Sequence, residues 1–311
     1  MTDATAPAPA VRSSSPGARA VSWFANPWGK ARFLWVLAIA YVVWSLVPVA
    51  IAVVFSFNAS RALTAWQGFS TRWYVGDVSS VWNDPELRSA LFQSLKLSAL
   101  VVVIAVPLGV AFALALDRWR GRGSGTANFL MLFSFITPEV AIAIALLLFF
   151  SKVVTAVGLG FTSQVLGVSM YMMAYPVIVV RARMLSIGRE YEEAAMDLGA
   201  PPTHALRRVL LPLLLPAIFA SVAIVFAATI DNFVISQQLS AGAADATIPM
   251  LIYSAARHGP LPSVNALATL TLTASTLVIV AAVVVFRRST RGERSPSALG
   301  GIALQGGGGP E

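Results

Sequence analysis

The sequence predicts an all-α integral membrane protein with six membrane-spanning helices. Of its 311 residues, 57% are hydrophobic and only 12% are charged, a balance far too apolar for a soluble globular domain. The apolar residues form six runs, most of about 20 residues, and at about 1.5 Å per residue such a helix crosses a hydrocarbon core of about 30 Å. The runs cover residues 33–55, 91–116, 128–150, 165–180, 213–235 and 266–286.

The composition argues against several other kinds of site. The chain has no cysteine, so neither disulfides nor thiol chemistry can be invoked. Its two histidines, His204 and His258, lie far apart and stand in no metal-ligand spacing, so no metal site is expected. The net charge of +8 does not indicate nucleic-acid binding, because the basic residues form no stripe with interleaved aromatics.

The basic residues instead predict the orientation of the chain in the membrane. Sixteen of the 22 Lys and Arg residues lie in the N-terminal tail, the second connection, the loop at 181–212 and the C-terminal tail. The opposite side holds Arg61, Arg72, Arg88, Lys152 and Arg257, with Lys96 just inside the second run. Both termini and the loop at 181–212 are therefore predicted to lie in the cytosol.

The two ends of the chain are interpreted as tails. Residues 1–32 are rich in Ala, Pro and Ser and predict a disordered cytosolic tail. A secretory signal peptide is the alternative, but the following apolar run is too long for one and no small-residue cleavage site succeeds it. Residues 287–311 are basic and then Gly-rich, and they predict a flexible cytosolic tail.

The first external loop, 56–90, is rich in aromatic residues. They include Trp66, Phe69, Trp73, Tyr74 and Trp82. Such side chains commonly rest at the membrane–water interface, and we expect that placement rather than a ligand cage. Near the end of the loop, Asp84-Pro85-Glu86 predicts the start of a helix that continues into the second run, since Asp caps a helix and Pro suits its first turn.

The longest polar interruption on the predicted cytosolic side, at 190–218, predicts two short helices around a break. The first has an apolar stripe at helical spacing, formed by Tyr191, Ala194, Ala195 and Leu198. Gly199 is expected to end it, because Gly tolerates the left-handed conformation found after many helices. Two prolines follow, and Thr203 is a candidate cap for the second helix. A rigid, amphipathic, acid-tipped helix in this position indicates a docking element.

Seven positions in this loop carry a family resemblance. They are Glu193, Ala194, Ala195, Gly199, Val209, Leu211 and Pro212. Their spacing resembles the EAA signature of permease subunits in binding-protein-dependent ABC importers, with Val209 in place of the more usual Ile. In that family the loop, here 181–212, forms a coupling helix that sits in a groove on a separate ATPase. The resemblance implies that Glu193 contacts the ATPase and that Gly199 makes the turn.

Other segments sharpen the resemblance. They are SFNASR (56–61), GFSTRWY (68–74), DNFVIS (231–236), and IYSAARHG followed by PSVNALATL. From about residue 33 to 286 the chain resembles spermidine/putrescine importer permeases, specifically the second of the two permease subunits. That family often has paired acids where this chain has Asp231-Asn232, which removes a carboxylate. Related importers of phosphonates, opines and iron share much of the pattern, so those solutes are alternatives to a polyamine.

The resemblance implies a fold, a set of partners and an energy source. The fold is the type I importer permease (MetI-like) architecture, with 33–286 as the transmembrane domain in a bacterial cytoplasmic membrane. The chain has no G-x-x-x-x-G-K-[ST], so no catalytic residues and no cofactor of its own are expected, and ATP acts through separate ABC ATPase subunits. Six spans make half a pore, which implies a second homologous permease subunit. An extracytoplasmic binding protein would deliver the solute.

Two acids and an amide are candidates for the translocation pathway. Glu139 lies in the middle of the third run, where a charge costs on the order of 2.5–3.5 kcal/mol. It either lines a pathway or makes a packing hydrogen bond between helices, and the sequence leaves both open. Asp231 and Asn232 lie near the outer end of the fifth run, and an interfacial acid is the alternative for Asp231.

Two other classes of membrane protein fit the sequence less well. An ion-coupled secondary transporter could use Glu139 and Asp231 as its relay, but it gives no role to the loop at 181–212. Such transporters also tend to carry internal repeats, and none is found in this sequence. The sequence does not favour a membrane-embedded enzyme, because the runs contain no H-E-x-x-H pair and no set of Ser, His and Asp.

Overall fold

The computed structural model describes residues 32–61, 65–118, 121–258 and 262–290, which are nearly all helical. The α-helices are α1 (Arg32–Phe55), α2 (Pro85–Arg118), α3 (Ser124–Ile136), α4 (Glu139–Leu148), α5 (Phe161–Met172), α6 (Ala174–Ile187), α7 (Glu190–Asp197), α8 (Pro202–Ala205), α9 (Leu211–Ile230), α10 (Val234–Leu239), α11 (Ile248–His258) and α12 (Pro262–Thr290). Short π-helical turns cover Arg72–Gly76, Phe149–Val153 and Leu206–Leu210. The predicted all-α class is confirmed.

The predicted tails fall mostly outside the described residues. Of the N-terminal tail, 1–32, only Arg32 is described, as the first residue of α1. Of the C-terminal tail, 287–311, only residues 287–290 are described, and they continue α12. By its contacts the chain divides into two compact units, residues 1–51 and 52–311.

The first unit contributes most of α1. Its apolar side chains point in all directions, and Trp35, Tyr41 and Trp44 are 71%, 72% and 79% exposed. A helix that is hydrophobic all round suits an apolar solvent and not water. The helix is therefore built for contact with lipid or with another membrane-embedded subunit.

Five helical stretches of the described residues are long and apolar enough to cross a membrane. They are Leu34–Phe55, Pro85–Arg118, Phe161–Ile187, Pro202–Ile230 and Pro262–Arg288. Each corresponds to one of the predicted runs. The helices extend past several predicted run limits, most clearly at Pro85, because polar helical turns outside the hydrocarbon core continue the same backbone hydrogen bonding.

The remaining run, 128–150, is not one continuous helix. It is split into α3 and α4 by Thr137 and Pro138, whose ψ angles are both 131°. Proline has no N–H to donate, and the residue before it is pushed toward the extended region. The hydroxyl and the N–H of Thr137 both donate to the Phe133 carbonyl, at 2.6 and 2.9 Å, which closes the end of α3. The single continuous span predicted here is replaced by a broken one.

The core of the second unit is formed by α2, α5, α6 and α9. Helix α9 packs against α2, α6 and α12, and α2 packs against α5 and α6. The chain approaches α2 closely at Gly109, where an added Cβ would lie 2.9 Å from the Met173 carbonyl oxygen and closer still to Pro176. Small residues let membrane helices approach in this way when hydrophobic burial does not drive their association.

The described residues of 56–90, predicted to form the first external loop, fold around one tryptophan. Trp73 is 1% exposed and packs with Val81, Leu87 and Ile248, while its indole N–H donates to the Asn58 carbonyl at 2.6 Å. The expected interfacial position is therefore wrong for Trp73, since a local core that includes the start of α2 buries it. The predicted helix start at Asp84-Pro85-Glu86 is confirmed: the N–H of Glu86 donates to the Asp84 carboxylate at 2.9 Å, and α2 begins at Pro85.

Candidate functional site

The predicted coupling loop forms two short helices around a glycine turn. Gly199 follows α7 with φ of +85°, the left-handed conformation expected of it. The N–H of Gly199 donates to the Met196 carbonyl at 2.9 Å, and the N–H of Ala200 donates to the Ala195 carbonyl at 3.0 Å. This pair of bonds is the Schellman arrangement that closes a helix end.

The second helix of the loop begins two residues before the predicted one. Helix α8 starts at Pro202, and Pro201 takes the cap position that had been expected for Thr203. The Pro201 carbonyl accepts from the N–H of His204 at 2.8 Å. Pro202 fits the first turn because the missing N–H would have no partner there.

The outward face of α7 is the predicted docking face. Tyr191, Met196 and Leu198 are 57%, 39% and 90% exposed, and Glu193 and Ala194 are exposed beside them. Of the other signature residues, Ala195 is half-buried on α7 and Val209 is half-buried in the π-helical turn. Leu211 is half-buried at the start of α9, and Pro212 is exposed. A patch of exposed apolar side chains outside the spans is a place where a partner protein is expected.

One acid of α7 lies on the opposite face and was missed by the sequence analysis. Glu192 is 5% exposed, and its carboxylate pairs with the guanidinium of Arg118 at the end of α2. Arg189, just before α7, donates to the carboxylate and the carbonyl of Asp117, at 3.3 and 3.1 Å. The sequence carries no signal for these pairs, because 74 and 72 residues separate the partners.

The break in the third predicted run lies at Glu139, one of the candidate pathway residues. Glu139 is the first residue of α4, where its carboxylate complements the positive end of the helix. The side-chain amide of Asn232 donates to that carboxylate at 2.6 Å. The side-chain oxygen of Asn232, Oδ1, accepts from the N–H and the hydroxyl of Ser236, both at 3.2 Å. Two helix breaks, α3–α4 and α9–α10, are thereby joined through side chains.

Asp231 points elsewhere. It is exposed, and it lines a cavity of about 490 Å³ together with Phe233, Tyr253 and Thr271. The Phe233 and Tyr253 ring centroids lie 4.7 Å apart, and the Arg257 guanidinium sits 4.5 Å from the centre of the Tyr253 ring. The structure therefore brings Glu139 and Asn232 together and leaves Asp231 apart from them, in a cavity that neither of them lines.

Comparison with known proteins places the chain among importer permeases. It matches the family described as "Binding-protein-dependent transport system inner membrane component" over residues 105–291. It is 34% identical over 236 residues to the putrescine transport system permease protein PotI of Escherichia coli (strain K12), covering 74% of this chain and 82% of PotI. It is 32% identical over 246 residues to the spermidine/putrescine transport system permease protein PotC of the same strain, covering 79% and 90%.

Solved structures agree on the fold. A bacterial ABC transporter involved in the import of the acidic polysaccharide alginate aligns with a TM-score of 0.63 at 17% identity, over 83% of this chain and 96% of that one. The MetNI methionine ABC transporter aligns with a TM-score of 0.56 at 16% identity, over 65% and 95%. The predicted MetI-like architecture is confirmed, and the predicted permease class follows from the family match. The chain belongs to the family of inner membrane components of binding-protein-dependent transport systems.

Proposed function

We propose that this chain is one permease subunit of an ATP-driven ABC importer that takes up polyamines delivered by an extracytoplasmic binding protein. PotI and PotC, which are named for putrescine and for spermidine with putrescine, match it over most of their length. A second homologous permease subunit completes the pathway, and separate ATPase subunits bind and hydrolyse ATP. The chain itself is not an enzyme, binds no cofactor, and lies in a bacterial cytoplasmic membrane with both termini in the cytosol.

The observation that carries the coupling role is the exposed face of α7. Leu198 is 90% exposed at the tip of the loop, next to a glycine turn that holds it there. In this proposal Glu193, Ala194 and Ala195 contact the ATPase, and Gly199 sets the turn. The last signature residues, Val209, Leu211 and Pro212, join the loop to α9.

A continuous helical rod leads from this loop into the membrane. The stretch Pro202–Ile230 has 29 residues and passes through the π-helical turn without interruption. At about 1.5 Å per residue it spans about 43 Å. Its far end lies next to Asn232, which holds Glu139 by a hydrogen bond. Closure of the ATPase dimer would move the docking face, and this rod would carry the movement to the helix breaks.

The substrate proposal rests on the acids within and beside the spans. A di- or trication crossing a low-dielectric region needs carboxylates or carbonyl dipoles along its route. We propose that Glu139, Asp231 and Asn232 line that route, with Asp231 in the cavity bounded by Phe233 and Tyr253. An anionic solute such as a phosphonate would be opposed by the same carboxylates, which disfavours that alternative.

Uptake measurements test this function. Cells that carry the importer should take up labelled putrescine or spermidine, and Glu139→Gln should lower that uptake about tenfold, because a cation loses its counter-charge in a poorly solvated site. Basal ATP hydrolysis should stay close to normal, since Gln can still accept from Asn232. Absence of polyamine uptake above that of a strain lacking the transporter, with the complex present in the membrane, would refute the substrate.

The same assay separates the importer from an ion-coupled transporter. Uptake by the importer should stop when ATP is depleted and should persist when the proton gradient is collapsed at constant ATP. The opposite pattern would favour the ion-coupled class and would leave the exposed face of α7 without a role.

A further inference from the structure

Four charged residues tie the coupling helix to the cytosolic end of α2. Arg118 pairs with Glu192, and Arg189 pairs with Asp117, so each element supplies one acid and one base. Arg118 also lies 3.7 Å from Asp117, which joins the two pairs into one cluster. We call Asp117, Arg118, Arg189 and Glu192 the α2 clamp.

The backbone on either side of α7 makes such a tie necessary. Gly188 precedes α7 with φ of +74°, and Gly199 follows it with φ of +85°. An eight-residue helix between two glycine turns has little stability of its own and can pivot at both ends. Helix α7 packs against α8 and the turn Leu206–Leu210, which links it to α9. Its link to α2 is made by long charged side chains.

Helix α2 reaches from the clamp to the external side of the membrane. It has 34 residues, which corresponds to about 51 Å. At its far end Leu87 and Ala90 pack in the cluster that contains Trp73 and Ile248. A displacement of α7 that is held by the clamp would therefore reach the folded external loop through one unbroken helix.

We propose that the α2 clamp positions the coupling helix against α2 and transmits its movement to the external side of the permease. The inference rests on the proposed coupling function and adds a second rod, α2, to the one formed by α9. Glu192 faces inward and Glu193 faces outward, so these neighbouring acids have different roles. Glu193 meets the partner, and Glu192 anchors the helix that carries it.

The burial of the clamp predicts an asymmetry between its members. The Glu192 side chain is 7% exposed, whereas the side chain of Arg118 is 44% exposed. Arg118→Gln leaves a buried carboxylate without its cation, which is unfavourable. Glu192→Gln leaves an arginine that water can still solvate. The arginine substitution should therefore have the larger effect.

The test uses the complete transporter, reconstituted in lipid vesicles, with putrescine as the probe. Glu192→Gln and Arg118→Gln should assemble with the ATPase and hydrolyse ATP. The amount of putrescine transported per ATP hydrolysed should fall about fivefold or more, as expected for loss of a coupling free energy. The charge-swapped pair Arg118→Glu with Glu192→Arg should recover part of that ratio. Glu190→Gln removes an exposed carboxylate from the same helical turn and should behave as wild type.

A second measurement does not depend on the substrate. The chain has no cysteine, so labels can be placed at Ala115→Cys on α2 and Asp197→Cys on α7. The distribution of distances between the labels should be narrow with and without ATP in the otherwise unchanged protein, and it should be broader in Arg118→Gln. If wild type transports no putrescine, the substrate proposal fails while this distance still tests the clamp.

The contrary outcomes are equally definite. Unchanged transport per ATP in both single variants, together with unchanged label distances, would overturn the proposal. Loss of assembly in both variants that the swapped pair does not repair would also overturn it, because the cluster would then serve folding and not coupling.

Discussion

The loop at 181–212 and the helix break at Glu139 differ in whether their side chains find partners within this chain. On α7 the side chains of Tyr191 and Leu198 are turned to the outside, 57% and 90% exposed. At the break the carboxylate of Glu139 is held by Asn232 within the same chain. The first region leaves large side chains exposed, whereas the second satisfies its carboxylate within the chain.

The difference follows from the solvent around each region. Water can hydrate an exposed acid or backbone group, so a loop outside the membrane can leave side chains exposed, as the proposed docking face of α7 does. Hydrocarbon offers no hydrogen bonds, so a broken helix in the membrane must satisfy its polar groups within protein or line a wet cavity. Asn232 meets that requirement for Glu139, and the Thr137 hydroxyl does so at the end of α3.

Replacing Gly199 should give the largest loss of function, because the substitution disturbs the turn that positions the proposed docking face of α7. Gly199→Val places a β-branched residue at φ of +85°, which costs about 1–3 kcal/mol of backbone strain and turns the docking face away. Transport in reconstituted complexes should fall about tenfold or more.

Gly125→Val provides the matched control for Gly199. Gly125 also has open space around its missing Cβ, but it lies within α3 and has no positive φ. Near-normal transport is expected from it. If the two valine variants behave alike, the size of the side chain matters and the turn does not.

Substitutions at adjacent residues of the α9–α10 break should have unequal effects on stability. Asn232→Leu removes the donor to Glu139 and leaves a carboxylate unsatisfied, at a cost of about 1–3 kcal/mol. Asp231→Leu changes an exposed side chain in the neighbouring cavity and should leave stability within about 0.5 kcal/mol. Thermal unfolding of the purified complex measures both, and a larger loss from Asp231→Leu would show that the internal pairing is not what stabilises the break.

The smallest effect is expected for Asp77, a carboxylate in the loop at 56–90. The backbone N–H of Ser79, and then the Arg72 guanidinium, hold the pKa of Asp77 below its ordinary value of 3.8. The stability it contributes is present above that value and is lost as the pH falls through the lower folded pKa. Trp73 fluorescence should therefore change slightly below about pH 4, and this change should be absent in Asp77→Asn. A change that is the same in both proteins would exclude Asp77 as its source.

Features that depend on neighbouring residues could be predicted from the sequence, and features that depend on distant residues could not. Local chemistry predicted the glycine turn at Gly199 and the start of α2 at Pro85, since each depends on residues within a few positions. Apolar run length predicted the spans for the same reason. The partners of Glu139 and Glu192 lie 93 and 74 residues away, and neither pair carries a local signature.

Proline alone was an incomplete guide to the third run. Pro138 predicts a kink, but a full interruption also needs Thr137 to close α3 and Asn232 to hold the start of α4. These supports come from the neighbouring turn and from another helix break. Trp73 illustrates the same limit, because its burial depends on residues of α2 and α11 that pack over the loop.

We propose that the outward face of α7 couples this permease to an ATPase, and one measurement tests that proposal most directly. Substrate-stimulated ATP hydrolysis should be measured in reconstituted complexes of Glu193→Arg, with Glu190→Arg as the control in the same turn. Our account predicts that stimulation is lost in Glu193→Arg and retained in Glu190→Arg, while both proteins insert in the membrane. Full stimulation in Glu193→Arg, combined with normal transport, would contradict the assignment of this face as the docking surface.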